Sequence, residues 1–174
     1  MSLICHPIGV IHTPHTALAG MPIQPSGAAD APGTIELLPE FHAGLQDLDG
    51  FSHILLLYHF HRSHSFALTV VPFLDTEPRG LFATRAPRRP NPIGLSVVRL
   101  QGIVAGVLYV TGVDMLDGTP LLDIKPYVPD FDVPPITTTI TTGWLAQTAR
   151  QASTQQADDR FQSQDTHLQQ ADGP

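Results

Sequence analysis

The stretch at residues 93–127, IGLSVVRLQGIVAGVLYVTGVDMLDGTPLLDIKPY, decides the fold class. It holds three runs rich in branched apolar residues, at residues 93–104, 106–112 and 121–127. Each run is short and bounded by glycine or proline, which is typical of β-strands. The pair Asp117-Gly118 predicts a turn before the third run. This part of the chain is therefore predicted to form consecutive antiparallel strands.

The N-terminal half repeats this organisation. We predict strands at residues 3–11, 34–38, 51–61, 67–74 and 80–84. The apolar run Ile54–Tyr58 is consistent with a strand buried on both faces. Short helices are predicted at residues 39–48, where Pro39 favours a helix start, and at residues 137–150. Many short strands with little helix indicate a mainly β fold, either an antiparallel barrel or a sandwich.

Composition limits the class of protein. A chain of 174 residues is one domain of ordinary size, and Cys5, its single cysteine, excludes an intramolecular disulfide. The N-terminus lacks the pattern of a secretory signal, and no stretch approaches the length of a membrane span. We therefore expect a cytoplasmic protein that does not contact a membrane.

The ends of the chain differ from its middle. Residues 13–33 are rich in proline, glycine and alanine and should form a long loop. Residues 146–174 are polar and rich in glutamine. Such a tail buries too little apolar surface to repay its ordering entropy, so we expect it to be disordered or weakly helical. The predicted division is a β-barrel domain at residues 1–145 followed by this tail.

Positive charge is concentrated in one segment. The formal net charge is −7, which argues against a broad nucleic-acid surface. Five of the nine basic residues nevertheless lie between positions 79 and 99: Arg79, Arg85, Arg88, Arg89 and Arg99. The segment TRAPRRPNPIGLS (residues 84–96) also holds three prolines, which stiffen its backbone. A stiff loop with arginines and Asn91 is typical of a binding site for an anionic or polar ligand, although a solvated crossover would explain it too.

The turn at Asp117 has two interpretations of equal weight. An Asp-Gly pair between strands needs no explanation beyond a hairpin. Thr119 and Pro120 lengthen the connection and add a hydroxyl group, which is compatible with a site. Asp123 and Lys125 share one strand face and can form an ion pair.

Histidines raise the question of a metal. His59, His61 and His64 are close in sequence, and His12 and His15 could join them. No cysteine or carboxylate accompanies them between residues 51 and 74, so we favour a structural or ligand-contacting role and predict no metal. Dinucleotide, P-loop and nucleophile-elbow motifs are absent, and no nucleophile lies beside a base. We therefore assign no catalytic residue.

Two motifs resemble those of one known family. The run GLFATRAPRRPNPIGLS (residues 80–96) and the run DGTPLLDIKPY (residues 117–127) are similar to the signatures of the TrmO, or TsaA-like, family. Shorter matches are PIGVI (residues 7–11), LDGFSH (residues 48–53) and Phe60-His61. Together they span roughly residues 3 to 132 in the family's order.

The resemblance implies a small antiparallel β-barrel that binds S-adenosylmethionine and forms a homodimer, with the donor near the subunit interface. It implies methylation of N6 of threonylcarbamoyladenosine beside the tRNA anticodon. The implied donor-binding residues are Pro22, Gln24, His61, Arg62, Arg85, Val97, Asp117, Gly118, Thr119 and Pro120. The candidate substrate-binding residues are Arg88, Arg89, Asn91, Lys125 and Tyr127.

Two departures separate this chain from family members that act on tRNA. Those members often carry an arginine at the position of Ile23, and they have an added C-terminal domain. Both departures remove expected nucleic-acid contacts, as does the net charge. The alternatives are a methyltransferase for a small molecule and a module that binds S-adenosylmethionine without turnover.

Overall fold

The computed structural model describes residues 3–161. Its strands are β1 (Gly9–His12), β2 (Pro32–Leu37), β3 (His53–His59), β4 (Thr69–Val70), β5 (Arg79–Gly80), β6 (Ile93–Val104), β7 (Val107–Thr111) and β8 (Thr119–Pro126). Six of them close into a barrel in the order β1-β2-β7-β6-β3-β8, with every neighbouring pair antiparallel. The short strands β4 and β5 form a separate two-stranded sheet. The predicted mainly β fold is confirmed, and it is a barrel rather than a sandwich.

Alternation of side chains places the core inside the barrel. Along β6, Ser96, Val98 and Leu100 are buried, and the residues between them are more exposed. In β3 the buried face alternates with a half-buried one, so this strand is not equally buried on both faces as expected. The core consists of Ile11, Ile35, Leu37, Ile54, Leu56, Tyr58, Val98, Leu100, Leu108, Val110, Val113, Met115 and Leu121.

The hairpin between β6 and β7 shows how the chain reverses. Ala105 and Gly106 both adopt positive φ, at 50° and 83°. Two consecutive left-handed residues are the geometry of a type I′ turn, whose twist matches that of the flanking strands. The imidazole of His42 packs so closely on Gly106 that no side chain would fit there.

Long connections gather at one end of the barrel. Because neighbouring strands are antiparallel, β1, β3 and β7 end where β2, β6 and β8 begin. The segments at residues 13–31, 60–92 and 112–118 therefore emerge side by side. Loops positioned on such a scaffold are where binding sites are usually built.

Regular structure between β3 and β6 is shorter than predicted. The expected strand at residues 67–74 is reduced to β4, and residues 80–84 form the end of β5 followed by a 3₁₀ helix at Leu81–Ala83. Pro72 and Pro78 lack a backbone donor, which prevents a longer ladder here. The predicted strand at residues 3–11 is limited to β1.

Helical structure in the described residues is confined to short segments. They are the α-helix α1 (Pro129–Asp132) and 3₁₀ helices at Pro25–Gly27, Pro39–Leu45, Leu48–Gly50, Leu81–Ala83, Gly143–Ala146 and Ala149–Ser153. Among residues 3–161, no helix combines the length and hydrophobicity needed to cross a membrane.

The start of the predicted tail is packed against the rest of the chain. Residues 143–161, here named the C-terminal strap, include two 3₁₀ helices and the buried side chain of Ala152. The expected weak helicity is thus present at Ala149–Ser153, but disorder does not apply to the described part of the tail. Residues 162–174 lie outside the described residues, and the domain division after residue 145 stays a prediction.

Candidate active site

A cavity of about 710 Å³, here named the large cavity, opens at the barrel end that carries the long loops. Its walls come from residues 18–26, four barrel-end residues, residues 72–74, residues 82–87 and the C-terminal strap. The volume lies within the range of about 300–1,000 Å³ typical of small-molecule sites. The cavity is therefore the candidate site, and it is enclosed by elements distant in sequence.

Two polar side chains of the barrel, Tyr58 and Asp114, line the large cavity, and Ser96 joins them by hydrogen bonds. Tyr58 lies near the end of β3, Ser96 lies near the start of β6, and Asp114 lies in the loop between β7 and β8. The Ser96 hydroxyl donates to Asp114 Oδ1 at 2.6 Å, and the Tyr58 hydroxyl lies 3.0 Å from Ser96 Oγ. Because Ser96 gives its one proton to the carboxylate, Tyr58 must donate to Ser96. The chain of hydrogen bonds therefore points toward Asp114.

Burial shifts the ionisation of this wall. Burial raises the pKa of Asp114 to about 6, and the Ser96 hydrogen bond and the Arg85 charge only partly offset it. The pKa of Tyr58 is also raised, first by burial and then by the charge of Asp114. Tyr58 therefore stays a hydrogen-bond donor at neutral pH, and Asp114 changes its charge close to neutrality.

Backbone geometry explains why Tyr58 reaches this position. Its ring lies over Gly94, its cross-strand partner, so closely that a Cβ atom there would overlap the ring. Phe60 packs edge-on against the same ring, with 5.4 Å between centroids. A glycine at the start of β6 is thus needed to hold the tyrosine against Ser96.

Of the arginines at residues 84–96, Arg85 is the one that lines the large cavity. Its guanidinium donates to the Gln24 side chain at 3.0 Å, and both residues, with Pro22, line the cavity. This contact joins the long loop to the arginine segment, which the sequence placed in the same site. Arg85 itself is exposed at the cavity wall, where a ligand can reach it.

A second cavity, here named the small cavity, adjoins the first and has a volume of about 60 Å³. His61, Arg62 and Thr119 line it, and Asp114 lines both cavities. The Thr119 hydroxyl donates its proton to the Leu116 carbonyl at 2.7 Å. His61 Nδ1 lies 3.4 Å from the same hydroxyl oxygen, and because the hydroxyl proton is already used, His61 is the donor of this contact. The pKa of His61 is lowered, first by burial and then by the Arg62 charge, which favours the neutral ring.

Asp117 faces away from both cavities. Its carboxylate accepts hydrogen bonds from the Thr13 backbone at 3.1 Å and from His12 Nδ1 at 3.2 Å. The Thr13 bond, followed by the His12 bond, holds the pKa of Asp117 below its usual range. Gly118 and Pro120 also lie outside the residues that line the cavities. Of this motif, only Thr119 is brought to the site within the single chain.

The remaining predicted donor and substrate residues lie outside the cavity walls. Val97 is the next outward-facing residue after the cavity-lining Leu95 on β6. Arg88 donates to the Ser65 hydroxyl at 3.1 Å, and Arg89 donates to the Thr84 carbonyl at 3.0 Å, so Arg89 braces its own loop. Asn91 is exposed.

Lys125 and Tyr127 lie toward the far end of β8. Lys125 forms the predicted ion pair with Asp123, with 2.7 Å between Nζ and the carboxylate. Tyr127 lies edge-on to His53 at 6.4 Å between centroids. Because β8 begins at the cavity end, the structure does not bring these two residues to the site.

The C-terminal strap forms the wall opposite the barrel and was not assigned to the site from sequence. Trp144, Leu145 and Phe161 line the large cavity. The Trp144 indole donates to the Ala83 carbonyl at 2.8 Å, and Ala157 exchanges backbone hydrogen bonds with Gly20 and Met21 at 2.7 and 2.8 Å. Trp144, the single tryptophan of the chain just before the polar tail, is the one signal that could have identified this wall.

Asp114 and Tyr58 were also missed. A single aspartate between two apolar residues carries no motif of its own, and Tyr58 closes an apolar run that predicted only a core strand. Tyr58 and Asp114 become candidate functional residues only because folding brings Ser96 between them. In residues 3–161, no cluster of three or more histidine, cysteine or carboxylate side chains could hold a metal ion.

Comparisons with known proteins agree on one family. The family described as the tRNA-methyltransferase O N-terminal domain matches residues 10–133. A probable S-adenosyl-L-methionine-binding protein of Pyrococcus abyssi is 51% identical over 160 residues, covering 91% of this chain and 85% of the relative. A tRNA (adenine(37)-N6)-methyltransferase of Mus musculus is 37% identical over 140 residues, covering 76% of this chain.

A solved structure agrees with these sequences. The crystal structure of TrmO superposes with a TM-score of 0.68 at 45% identity, covering 80% of this chain and 64% of the solved chain. The present chain spans 32% of the mouse protein. It therefore corresponds to the N-terminal part of the longer relatives and to most of the archaeal one. On these matches, the chain belongs to the tRNA-methyltransferase O N-terminal domain family.

Proposed function

We propose that this chain, an S-adenosylmethionine-dependent methyltransferase by its family, methylates N6 of threonylcarbamoyladenosine beside the tRNA anticodon. The observation that carries the proposal is the large cavity, whose size suits a nucleoside and whose walls carry Arg85 and Asp114. Family relatives named for binding S-adenosylmethionine and for adenine N6 methylation support the donor and the type of acceptor.

We propose that the donor is contacted by six of the predicted residues, all of which line the two cavities. Pro22, Gln24 and Arg85 line the large cavity, and His61, Arg62 and Thr119 line the small one. The arginines suit a carboxylate, and the amide and hydroxyl groups suit ribose or amine hydrogen bonds. Val97, Asp117, Gly118 and Pro120 lie outside both cavities of the single chain, and their donor contacts stay predictions.

The donor supplies an electrophilic methyl group on a sulfonium centre. The protein's task is to hold an acceptor nitrogen in line with that group, and alignment alone is worth about 7–11 kcal/mol in well-oriented systems. Aromatic and apolar side chains from the barrel end and the C-terminal strap line the same space. No covalent nucleophile is required.

The rim of the large cavity supports a nucleic-acid acceptor. Phe82 lines the cavity and is 76% exposed, with the Arg89 guanidinium 5.8 Å from its ring centroid. The Arg79 guanidinium lies 5.6 Å from the Trp144 ring. Aromatic faces beside arginines are the usual surface for unstacked RNA bases. This local arrangement favours tRNA even though the whole chain is acidic.

Labelled S-adenosylmethionine provides the test. The protein should transfer label to tRNA that contains threonylcarbamoyladenosine and leave tRNA lacking this modification unlabelled. Transfer to a small molecule but not to tRNA would support the small-molecule alternative. Donor binding by calorimetry without any transfer would support the binding module, and either result would overturn the proposed acceptor.

We further propose that the protein acts in the cytoplasm as a homodimer. The segment at residues 131–140 supports this, because Phe131, Ile136 and Ile140 are exposed in the single chain, at 85%, 102% and 62%. Exposed apolar side chains in one segment favour a protein partner. Light scattering should give twice the mass of one chain, and replacement of all three residues by serine should give a monomer. A wild-type monomer at micromolar concentration would contradict this proposal.

A further inference from the structure

We infer that the Asp114 carboxylate accepts the proton that the acceptor nitrogen loses during methyl transfer, with Ser96 and Tyr58 as its positioning residues. The inference rests on the proposed function, which makes the acceptor a nitrogen carrying one hydrogen. It goes beyond that function by naming the group that removes this hydrogen.

The reaction requires a proton acceptor. The N6 nitrogen of a carbamoylated adenosine is conjugated with both the ring and the carbonyl group, so its lone pair is a weak nucleophile while N–H remains. As the nitrogen–carbon bond forms, the carbon–sulfur bond breaks and its electron pair stays on sulfur as a neutral thioether. The N–H proton must then pass to a base, which here becomes a carboxylic acid. A base positioned for this transfer typically contributes about 10²–10⁴ in rate.

The position of Asp114 favours it over other groups. It lines both cavities, so an acceptor in the large cavity can reach it. Among the described residues, the other carboxylate lining the large cavity is Asp158, which pairs with Arg160 at 2.7 Å. His61 lines only the small cavity, so it does not face an acceptor held in the large cavity.

The hydrogen bonds of Asp114 are compatible with its accepting a proton. Ser96 donates to Oδ1 at 2.6 Å, while the carboxylate also lines both cavities. Tyr58 behind Ser96 fixes the direction of the serine proton at 3.0 Å. A carboxylate held from one side and facing a cavity from the other is the arrangement expected of a general base.

Nearby charges set the pH range in which Asp114 works. The titratable or charged side chains that share cavity walls with it are Tyr58, His61, Arg62, Arg85 and Asp158. Of these, Arg85 favours the carboxylate, while burial raises the pKa of Asp114 to about 6. Above that pH the carboxylate form prevails, and its basicity exceeds that of an ordinary surface aspartate.

Single-turnover transfer to modified tRNA, measured from pH 5 to 8, tests the inference. The wild-type rate should rise through about pH 6 and then level, since only the carboxylate accepts a proton. Asp114→Asn should lower the rate at least about 100-fold and abolish this rise, with the donor Kd unchanged within about threefold. Asp114→Glu should restore part of the rate. Asp49→Asn, an exposed carboxylate at the opposite end of the barrel, is the matched control.

The positioning residues have a different signature. Ser96→Ala removes the hydrogen bond that lowers the pKa of Asp114, so the midpoint of the pH–rate profile should move upward. A merely structural role would lower the rate at every pH without moving the midpoint.

Three results would overturn the inference. The first is an Asp114→Asn rate within about fivefold of wild type, because a general base contributes far more. The second is a donor Kd that weakens as much as the rate falls, which would make Asp114 a donor ligand. The third comes from a ¹³C carboxyl titration, which needs no acceptor: an Asp114 signal that titrates near 3.8 would show an ordinary aspartate. Transfer by the wild type to unmodified tRNA would contradict only the proposed acceptor, and the Asp114→Asn comparison would then be made on that tRNA.

Discussion

The two walls of the large cavity are built in different ways. The barrel wall presents Tyr58 and Asp114, which Ser96 links by hydrogen bonds, and Tyr58 and Ser96 are fixed in paired strands. The C-terminal strap presents mainly apolar side chains and is attached through individual hydrogen bonds to residues 20–21, Pro72 and Ala83. The polar side chains thus lie on the rigid barrel wall, and the apolar side chains that close the cavity lie on the strap, which has fewer attachments. Substitutions in the barrel wall should affect stability, while substitutions in the strap should affect mainly ligand binding.

Gly94→Ala should have the largest effect on stability because it changes a residue packed within the rigid barrel wall. The added methyl group would overlap the Tyr58 ring and crowd Phe60, and both lie in a packed region. We expect the free energy of unfolding to fall by about 3 kcal/mol, measured by urea denaturation. Gly80→Ala is the control, because nothing lies within 4 Å of its added atom. Equal losses in the two variants would show that the barrel wall is not tightly packed.

The buried carboxylate should make stability depend on pH. The folded-state pKa of Asp114 is about 6 against an ordinary 3.8, so the folded state holds a proton that the unfolded state releases. Between these values the free energy of unfolding should fall as pH rises, by about 2–3 kcal/mol relative to Asp114→Asn. Parallel stability curves for the two proteins from pH 4 to 7 would contradict this.

Arg85→Ala tests the contact between the arginine segment and the long loop at residues 13–31. It removes a guanidinium that lines the large cavity and donates to Gln24. We expect the donor to bind about 2 kcal/mol more weakly in calorimetry, as for loss of a charge-assisted hydrogen bond. Arg88→Ala, outside the cavity, should leave the donor Kd unchanged. An unchanged Kd in Arg85→Ala would remove this residue from the site.

Trp144→Ala should have the smallest effect, confined to the strap. It removes the indole donor to the Ala83 carbonyl and part of the cavity wall. Donor binding should weaken by about 1 kcal/mol, with the free energy of unfolding changed by less than about 0.5 kcal/mol. Phe66→Ala, an exposed aromatic residue outside the cavity lining, is the matched control. A large loss of stability would mean that the strap belongs to the folding core.

The same contrast explains what the sequence could predict. The bounds of β6 match the predicted residues 93–104, and its side chains alternate between buried and more exposed from Ile93 to Gln101. Arg85 was predicted because the proline-rich segment is unusual on its own, and Thr119 because its motif has a familiar pattern, and both line a cavity. Each of these signals comes from residues close together in the chain, so a single sequence is enough to show it.

The remaining features arise from contacts between distant residues. Asp114 gains its environment from Ser96, 18 positions earlier, and from a barrel that only the complete set of strands can close. The C-terminal strap is held by backbone hydrogen bonds and by Phe161 against Phe73 at 5.0 Å, so its polar composition gave no indication of packing. The turn at Asp117 shows the converse, because a recognised motif directed its acidic side chain toward His12 instead of the cavity.

A crystal structure with S-adenosylmethionine bound would test the central claim most directly, which is that the donor lies between the barrel wall and the C-terminal strap. We predict donor density in the large cavity, with Arg85 and Gln24 in contact and Asp114 beside the space left for the acceptor. Density on another face of the barrel, or against Asp117 and away from the large cavity, would contradict the account.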